Sequence, residues 1–314
     1  MRTNTYQLRS SAYETVDIKR LEFVGVDGAE VAWSAGAHVR VHLTDGTSRA
    51  YSLLALPGPD LGGLVLGVLL EKGGRGGSRF MHALKPGDKV RISDPVNQFA
   101  LQDHDGPAIL IAGGIGITPI LSMADELSRA GRRFDVHYAG RSEGRLAFVD
   151  DMKRICGDRL HLHYDDQDTA LDIAAVLKAA ARNAHVYFCG PTGMIEAVKA
   201  IAGSQGFPPD QLHYELFSAE IDHASDTAFD VVVKSSGQVV HVPADKTIIE
   251  ALEEAGLDPL YDCKRGDCGI CQCEVIEGEP DHRDIILTDA EKASGKVMQI
   301  CVSRSKTPRL VLDI

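Results

Sequence analysis

The sequence lacks several features that would point to common classes of protein. It has no basic surplus, because 33 lysines and arginines stand against 45 aspartates and glutamates, a net charge of −12 over 314 residues. This balance argues against a dedicated nucleic-acid binder. No apolar run reaches the roughly 20 residues that cross a bilayer, and the N-terminal segment lacks the apolar core of a secretory signal. We therefore expect a cytoplasmic protein without membrane contact.

The cysteines do not form the even set that is typical of a disulfide framework. There are seven, and five lie in the last 52 residues, which favours a metal site in an intracellular chain. Cys263, Cys268 and Cys271 have the spacing C-x4-C-x2-C, and Cys301 follows after 29 residues. This is the spacing of a plant-type 2Fe–2S cluster. Zinc is the alternative, although zinc sites usually pair two short hooks of ligands.

Three patterns along the chain predict three domains. Residues 1–103 consist of short β-rich runs separated by turn signals, which predicts an antiparallel barrel or sandwich. Residues 104–225 alternate strands and helices, which predicts a parallel sheet with helices on both faces. Residues 226–314 begin with two strands and a helix over 247–255, for which Asp245 is the expected N-cap. The cysteine cluster follows that helix.

Two motifs in the first domain suggest a ligand that carries a phosphate. Arg49, Ala50, Tyr51 and Ser52 lie on a predicted strand, where arginine can pair with phosphate, tyrosine offers a ring face and serine can bond a flavin nitrogen. The glycine-rich segment 73–78 follows a strand and opens a short helix, the layout for an anion at a helix N-terminus. The alternatives are an ordinary exposed arginine beside a packed tyrosine, and a flexible glycine hairpin.

Two loops in the second domain suggest a dinucleotide site at the carboxyl ends of parallel strands. Gly113, Gly114 and Gly116 follow the first buried strand and permit a tight turn close to a pyrophosphate. The triplet Cys189-Gly190-Pro191 ends another strand of the same sheet. The polarisable sulfur of Cys189 would lie against a nicotinamide ring, and the alternative is a buried strand cysteine without a role in the chemistry.

The turn after the second parallel strand bears on the choice of donor. Arg141, Ser142 and Arg145 follow this strand, where the ribose end of the nucleotide is expected. Arginines at this position favour a 2′-phosphate and therefore NADPH. The alternative is a solvated basic turn.

Taken together, these motifs resemble the ferredoxin–NADP reductase superfamily, most closely its phthalate dioxygenase reductase and vanillate demethylase reductase family. The resemblance rests on RAYS (49–52), GRGGS (74–78), AGGIGITPILSM (112–123), YFCGP (187–191), HYELF (213–217) and the region from EPDHRDIILTDAEK to QICVSRSK. It implies an FMN-binding β-barrel domain over 1–103, an NAD-binding α/β domain over 104–225 and a plant-type ferredoxin domain of β-grasp fold over 226–314. It also implies NADH as donor and a Rieske-type oxygenase, an aromatic dioxygenase or O-demethylase, as acceptor.

The family also implies roles for individual residues. Ser52, bonded near the flavin N5, and Cys189, which places the nicotinamide, are the expected catalytic residues. The residues expected to hold or border FMN are Arg49, Ala50, Tyr51, Ser52, Leu69, Glu71, Gly76, Gly77, Ser78, Arg79, Thr118 and Phe217. Those expected to hold the nicotinamide nucleotide are Gly113, Gly114, Gly116, Arg141, Ser142, Cys189, Gly190 and Pro191. The expected cluster ligands are Cys263, Cys268, Cys271 and Cys301.

Two other functions stay open at this point. A reductase that feeds a cytochrome P450 or a diiron monooxygenase would use the same modules. A non-enzymatic 2Fe–2S carrier or sensor would need degenerate flavin and nicotinamide domains, which the intact motifs disfavour. In each case we expect a monomer that meets its partner through the ferredoxin domain. From Asp226 onward this domain has 17 acidic and 10 basic residues, −7 of the total −12, and such charge can steer a partner.

Overall fold

The computed structural model describes residues 2–26, 31–44, 46–56, 63–71, 76–217, 226–261, 266, 269–284 and 286–314. The chain forms two compact units, Met1–Glu215 and Leu216–Ile314. The boundary predicted at residue 103 falls inside the first unit, and the one predicted at 225 falls shortly after the second unit begins. The division into three domains stays a prediction. Among the described residues, no helix combines the length and the apolar character needed to cross a bilayer.

The first unit opens with a seven-stranded antiparallel sheet of order β4-β3-β6-β1-β2-β5, in which β7 pairs with β3. Its elements are β1 (Thr3–Tyr13), β2 (Ile18–Gly25), β3 (Ala37–His42), β4 (Ser48–Ser52), β5 (Gly63–Leu69), α1 (Gly77–Ala83), β6 (Lys89–Ser93) and β7 (Val96–Asn97). Just after β4, Leu53 bridges Leu66 of β5, and the Leu54 amide donates to the Val65 carbonyl at 2.9 Å. The two edge strands therefore meet, which closes the sheet into a barrel.

The same unit continues with a five-stranded parallel sheet of order β10-β9-β8-β11-β12. Its elements are β8 (Ala108–Gly113), α2 (Ile117–Arg129), β9 (Phe134–Gly140), α3 (Val149–Cys156), β10 (Leu160–Tyr164), α4 (Ile173–Ala179), β11 (His185–Cys189), α5 (Thr192–Ser204) and β12 (Leu212–Glu215). Every residue of β8 is buried, as its continuous apolar run predicts. The strand order reverses at β8, so ligands are expected at the carboxyl ends of β8 and its neighbours.

The second unit is built on a mixed five-stranded sheet of order β14-β13-β19-β15-β17 and a two-stranded sheet of β16 and β18. Its elements are β13 (Phe229–Val233), β14 (Val239–Val242), α6 (Ile248–Glu254), β15 (Gln272–Glu277), β16 (Pro280–Asp281), α7 (Asp289–Ser294), β17 (Val297–Gln299), β18 (Arg304–Ser305) and β19 (Arg309–Asp313). The buried face of α6 shares one apolar core with the large sheet. This is the expected β-grasp arrangement, and the predicted fold classes are confirmed.

The predicted cap of α6 is wrong. Thr247, not Asp245, is the N-cap: its hydroxyl accepts from the Glu250 amide at 3.2 Å, and the Glu250 carboxylate accepts from the Thr247 amide at 2.9 Å. This reciprocal capping box satisfies two backbone donors at once. A single aspartate two residues earlier would satisfy fewer of them.

Histidines form two stacked groups within the parallel sheet. In the first, His137 Nδ1 lies 3.0 Å from His163 Nε2, and the ring of His161 also stacks on His137. Burial, and then the neighbouring His161 and His163, lower the pKa of His137 to about 4. The second group consists of His104, His185 and His213, whose rings also stack. Burial, and then the neighbouring His185 and His104, lower the pKa of His213 to about 4.

We expect these histidines to make the first unit sensitive to acid. A histidine with a lowered folded pKa stays neutral in the native state, while the unfolded chain takes up its proton below pH 6.5, so stability is lost as the pH falls from about 6.5 towards 4. Thermal melting of the protein and of His213→Gln should give curves that converge as the pH falls through this range. His241→Gln, in the second unit, is the control. A difference in melting temperature that does not change with pH would contradict the expectation.

Candidate redox site

The two motifs that suggest a flavin site meet in the structure. Arg49 is on β4, and its side chain lies against Gly77 at the start of α1: a Cβ atom on Gly77 would stand 2.6 Å from Arg49 Cγ. Gly76 precedes the helix with φ +89°, a conformation that favours glycine. The hydroxyl of Ser78 accepts from the Glu71 amide at 3.1 Å, which ties the helix to the end of β5. The cationic side chain of Arg49 and the glycine turn at Gly76 and Gly77 are therefore neighbours, which is the arrangement that a phosphate site requires.

The other residues of this region surround the same strand. Burial raises the pKa of the Tyr51 hydroxyl, and the charges of Arg49 and Glu71 have smaller, opposed effects on it. Ser52, at the end of β4, is buried. Ala50 and Leu69 are half-buried, Arg79 is exposed, and residues 74 and 75 of the glycine-rich motif lie outside the described residues.

A serine that the sequence analysis did not identify fastens this strand to the second sheet. Ser122 on α2 is fully buried; its hydroxyl donates to the Leu53 carbonyl at 2.7 Å and accepts from the Ala55 amide at 2.9 Å. The segment that follows Ser52 is therefore fixed on the helix that begins at the predicted nucleotide loop. A polar residue on the face of an otherwise apolar helix was the only signal in the sequence.

The two predicted nucleotide loops are in contact at the carboxyl ends of β8 and β11. A Cβ atom on Gly116 would overlap the Cys189 carbonyl and lie 2.7 Å from the Gly190 nitrogen. A Cβ atom on Gly113 would lie 2.8 Å from Pro191 Cδ. The backbone contact at Gly116 requires glycine, and the side chains of Pro191 and Met194 lie against Gly113. The arrangement fits the close approach of a dinucleotide that the motifs predict.

The surroundings of three residues predicted to contact the nucleotide or the flavin also fit an ordinary structural role. Cys189 is fully buried, which agrees with either reading of its role. Thr118 is buried and its hydroxyl donates to the Ile115 carbonyl at 3.1 Å, which ties the start of α2 to the glycine loop before it. Phe217 belongs to the second unit and is half-buried.

The ribose end is less basic than its sequence suggests. Arg145 forms an ion pair with Asp17, which uses one of the two arginines. Arg141 is exposed and Ser142 is half-buried just after β9. Arg141, exposed just after β9, is therefore the arginine of this turn that is not already paired with a carboxylate of the described residues.

Two of the four predicted cluster ligands are buried in the apolar core of the second unit. Cys271 and Cys301 are only 3% and 2% exposed, and the Cys271 carbonyl accepts from the Ile300 amide at 3.3 Å. Gly266 is buried with φ +78°, and a Cβ atom there would lie 2.6 Å from Val302 Cγ2. Two buried thiols, and a glycine packed against the residue that follows Cys301, fit a cluster held by cysteines. Cys263 and Cys268 lie outside the described residues.

The arginines of the C-terminal motifs, Arg283 and Arg304, pair with a buried aspartate. Arg283 donates to both oxygens of the Asp226 carboxylate at 2.6 and 3.2 Å, and Arg304 lies 3.4 Å from the same group. The Asp226 side chain is fully buried, so its charge needs these partners. Arg304 also donates to three backbone carbonyls. These motifs therefore fix the start of the ferredoxin domain.

The two remaining cysteines of the described residues are packed rather than reactive. Burial raises the pKa of the Cys273 thiol on β15 and of the Cys156 thiol at the end of α3 to about 12. Both therefore stay protonated at neutral pH, as expected of structural residues.

Comparison with known proteins decides the family. A 2Fe–2S iron–sulfur cluster binding domain matches residues 231–306, and an oxidoreductase NAD-binding domain matches residues 110–200. The vanillate O-demethylase oxidoreductase of Pseudomonas sp. strain HR199 is 44% identical over 305 residues, which are 95% of this chain and 96% of that protein. The chain belongs to the phthalate dioxygenase reductase and vanillate demethylase reductase family.

Two solved structures are similar to almost the whole chain. Phthalate dioxygenase reductase, a modular structure for electron transfer from pyridine nucleotides to [2Fe–2S], matches with a TM-score of 0.81 and 34% identity over 99% of this chain and 98% of that one. An intact type IV self-sufficient cytochrome P450 monooxygenase matches with a TM-score of 0.72 and 36% identity; it covers 99% of this chain, which corresponds to 41% of that longer one. The chain is an NAD(P)H-dependent iron–sulfur oxidoreductase, and its predicted nicotinamide and 2Fe–2S cofactors are confirmed.

Proposed function

We propose that the chain is the reductase component of a Rieske-type oxygenase, an aromatic dioxygenase or O-demethylase. The match to a vanillate O-demethylase oxidoreductase over nearly the whole of both chains carries this proposal. Bound FMN would supply the conversion between NADH, a two-electron donor, and a 2Fe–2S cluster, a one-electron acceptor, and the cluster would supply electrons to the oxygenase. Reduction of a purified Rieske oxygenase by NADH in the presence of this protein tests the function directly.

The residues of the chain supply position and charge for this transfer. Arg49 beside the start of α1 offers a charge-assisted contact to the FMN phosphate. Gly113, Gly116 and Gly190 let the nucleotide approach the backbone closely. Cys271 and Cys301, with Cys263 and Cys268, supply the thiolates that hold the cluster.

Arg49→Ala is expected to weaken FMN binding by about 10- to 100-fold. A hydrogen bond to a charged group contributes about 1.5–3 kcal/mol, and each 1.4 kcal/mol corresponds to a factor of ten in affinity. Equilibrium dialysis measures the dissociation constant, and acid release followed by chromatography identifies the flavin. Arg49→Lys keeps the charge and should lose less. Unchanged affinity in Arg49→Ala, or recovery of FAD from the wild type, would contradict the assignment.

A second candidate acceptor is a cytochrome P450. The observation that favours it is the 36% identity with the corresponding part of a self-sufficient P450 monooxygenase. A Rieske oxygenase and a cytochrome P450 both take electrons from the same kind of cluster, so the same reductase chain would serve either acceptor. Parallel assays with a Rieske oxygenase and a P450 separate them, and faster reduction of the P450 would replace the first proposal.

The partner is proposed to dock at the cluster end of the ferredoxin domain, steered by charge. Ile270, in the cluster loop, is 50% exposed, and Ile286 is exposed 3.7 Å from where a Cβ atom on Gly269 would lie. These side chains offer an apolar contact within an acidic domain. The loop residues Asp262, Lys264, Arg265 and Asp267 lie outside the described residues.

We expect the association rate with the oxygenase to fall as salt rises, because exposed charges are screened beyond about 8 Å at physiological ionic strength. Asp267→Lys, next to Cys268 in the sequence, should lower this rate and leave NADH–ferricyanide turnover unchanged. Asp158→Lys makes the same change of charge on the first unit and is the matched control. Stopped-flow association rates that do not change with salt, or association rates that fall equally in Asp267→Lys and Asp158→Lys, would exclude electrostatic steering through the cluster loop.

A further inference from the structure

One residue of the described chain other than glycine has a positive φ. Phe148, the N-cap residue directly before α3, has φ 59° and ψ 21° and is only 2% exposed. This left-handed conformation is a genuine outlier for a bulky side chain, and it persists only where the surrounding structure holds it. The contacts of Phe148 therefore indicate what its strained backbone conformation positions.

The ring of Phe148 fills a gap in the wall of the barrel. A Cβ atom on Gly67 of β5 would lie 2.9 Å from Phe148 Cζ and 2.9 Å from Thr118 Cγ2, so any larger residue would displace one of them. Arg20 of β2 pairs with Gly67 in register, and its guanidinium lies 5.2 Å from the centre of the Phe148 ring. The ring is thus held between a glycine and an arginine of neighbouring strands.

The backbone at Phe148 is attached to the same part of the barrel. Its amide donates to Glu14 Oε2 at 3.3 Å, which replaces the side-chain cap that α3 lacks. Arg20 pairs with Glu14 at 2.7 Å and also with Asp151 in the first turn of α3. The Phe148 ring, the Phe148 amide and the first turn of α3 therefore all contact the same region of the barrel.

The residue before Phe148 leads to the nucleotide loop. The Ala147 amide donates to the Tyr138 hydroxyl at 3.0 Å, and that hydroxyl donates to the Gly114 carbonyl at 3.1 Å. Tyr138 is fully buried, and burial raises the pKa of its hydroxyl, which therefore keeps its proton. Two hydrogen bonds thus join the loop predicted to hold the pyrophosphate to Ala147, the residue directly before Phe148.

We propose that Phe148 is a positioning residue that sets the nucleotide loop relative to the flavin barrel, through Gly67 on one side and Tyr138 on the other. Hydride transfer needs the donor and acceptor atoms in near contact, and a displacement of about 1 Å can cost up to about 100-fold in rate. The strained backbone keeps the ring over Gly67 while Ala147 faces Tyr138. The consequence for hydride transfer rests on the proposed function, whereas the mechanical link does not.

Gly67→Ala tests the link, because its methyl group must push against the Phe148 ring and Thr118. The rate of flavin reduction at saturating NADH, measured by stopped flow, should fall about 10-fold or more, while FMN is retained. In protein without cofactors, amide exchange at residues 114–117 should become faster. Phe148→Leu in the Gly67→Ala background makes room for the methyl group and should restore much of both properties, a coupling that a double-mutant cycle measures.

Tyr138→Phe removes only the hydroxyl and should change the same two measurements in the same direction, even if Gly67→Ala does not fold. Gly203→Ala, on α5 with nothing within 4 Å of its added methyl group, is the matched control and should change neither. If Tyr138→Phe leaves reduction and exchange at wild-type values, or if Phe148→Leu gives no rescue, the proposal is overturned. A wild type that binds no flavin would instead refute the proposed function, and amide exchange would still test the link.

Discussion

Cys271→Ser is expected to abolish electron transfer to one-electron protein acceptors while sparing the first half of the reaction. A plant-type 2Fe–2S cluster is held by four cysteine thiolates, and Cys271→Ser removes one of them from its buried position. The visible absorbance of the cluster should disappear, and NADH-dependent reduction of cytochrome c should fall by about 100-fold or more. Turnover with ferricyanide, which can take electrons from the flavin, should stay within about two-fold, because the first unit is compact by itself.

Cys273→Ser is the matched control for this experiment. Cys273 lies two residues further along, on β15 opposite Met298, and its protonated thiol packs against the core. The variant should keep the cluster and the cytochrome c activity. A protein truncated near Asp222 should behave as Cys271→Ser does. Full cytochrome c reduction by Cys271→Ser would place the exit of electrons at the flavin, and loss of the cluster from Cys273→Ser would make Cys273 a ligand.

Local patterns predicted the elements that carry the site, because each rests on neighbouring residues. The apolar run 108–112 predicts the fully buried β8, and the glycines after it predict the turn into α2. The capping box of Thr247 and Glu250 was also visible in the sequence. The prediction of Asp245 as the N-cap was wrong because it gave one aspartate more weight than this two-residue pattern.

The contacts that join the modules could not be predicted in the same way. Ser122 bonds Leu53, which is 69 positions away in the sequence, and the Phe148 amide bonds Glu14, 134 positions away. A serine on a helix face and a phenylalanine before a helix have many ordinary explanations. Their roles depend on which surfaces the chain brings together, and one sequence without its fold does not contain that information.

Gly116→Ala is expected to disrupt the nucleotide site more than any other single methyl group in it. The φ of Gly116 is −59°, so alanine could adopt the backbone conformation; the obstacle is space alone. Its Cβ atom would overlap the Cys189 carbonyl and lie 2.7 Å from the Gly190 nitrogen, and backbone atoms cannot rotate away as a side chain can. The start of α2 must therefore move from the end of β11, which opens the crevice between the two loops.

The expected result is a loss of NADH affinity of about 10-fold or more, together with slower flavin reduction, because both loops that contact the nucleotide are displaced. Titration of NADH against flavin reduction measures both quantities, and FMN content should stay near that of the wild type because the contact between Arg49 and Gly77 is separate from this crevice. Gly203→Ala adds the same methyl group in open space and should leave both quantities unchanged. If Gly116→Ala binds and oxidises NADH as the wild type does, the crevice between β8 and β11 is not where the nucleotide binds, and the assignment of Gly113, Gly116 and Gly190 fails with it.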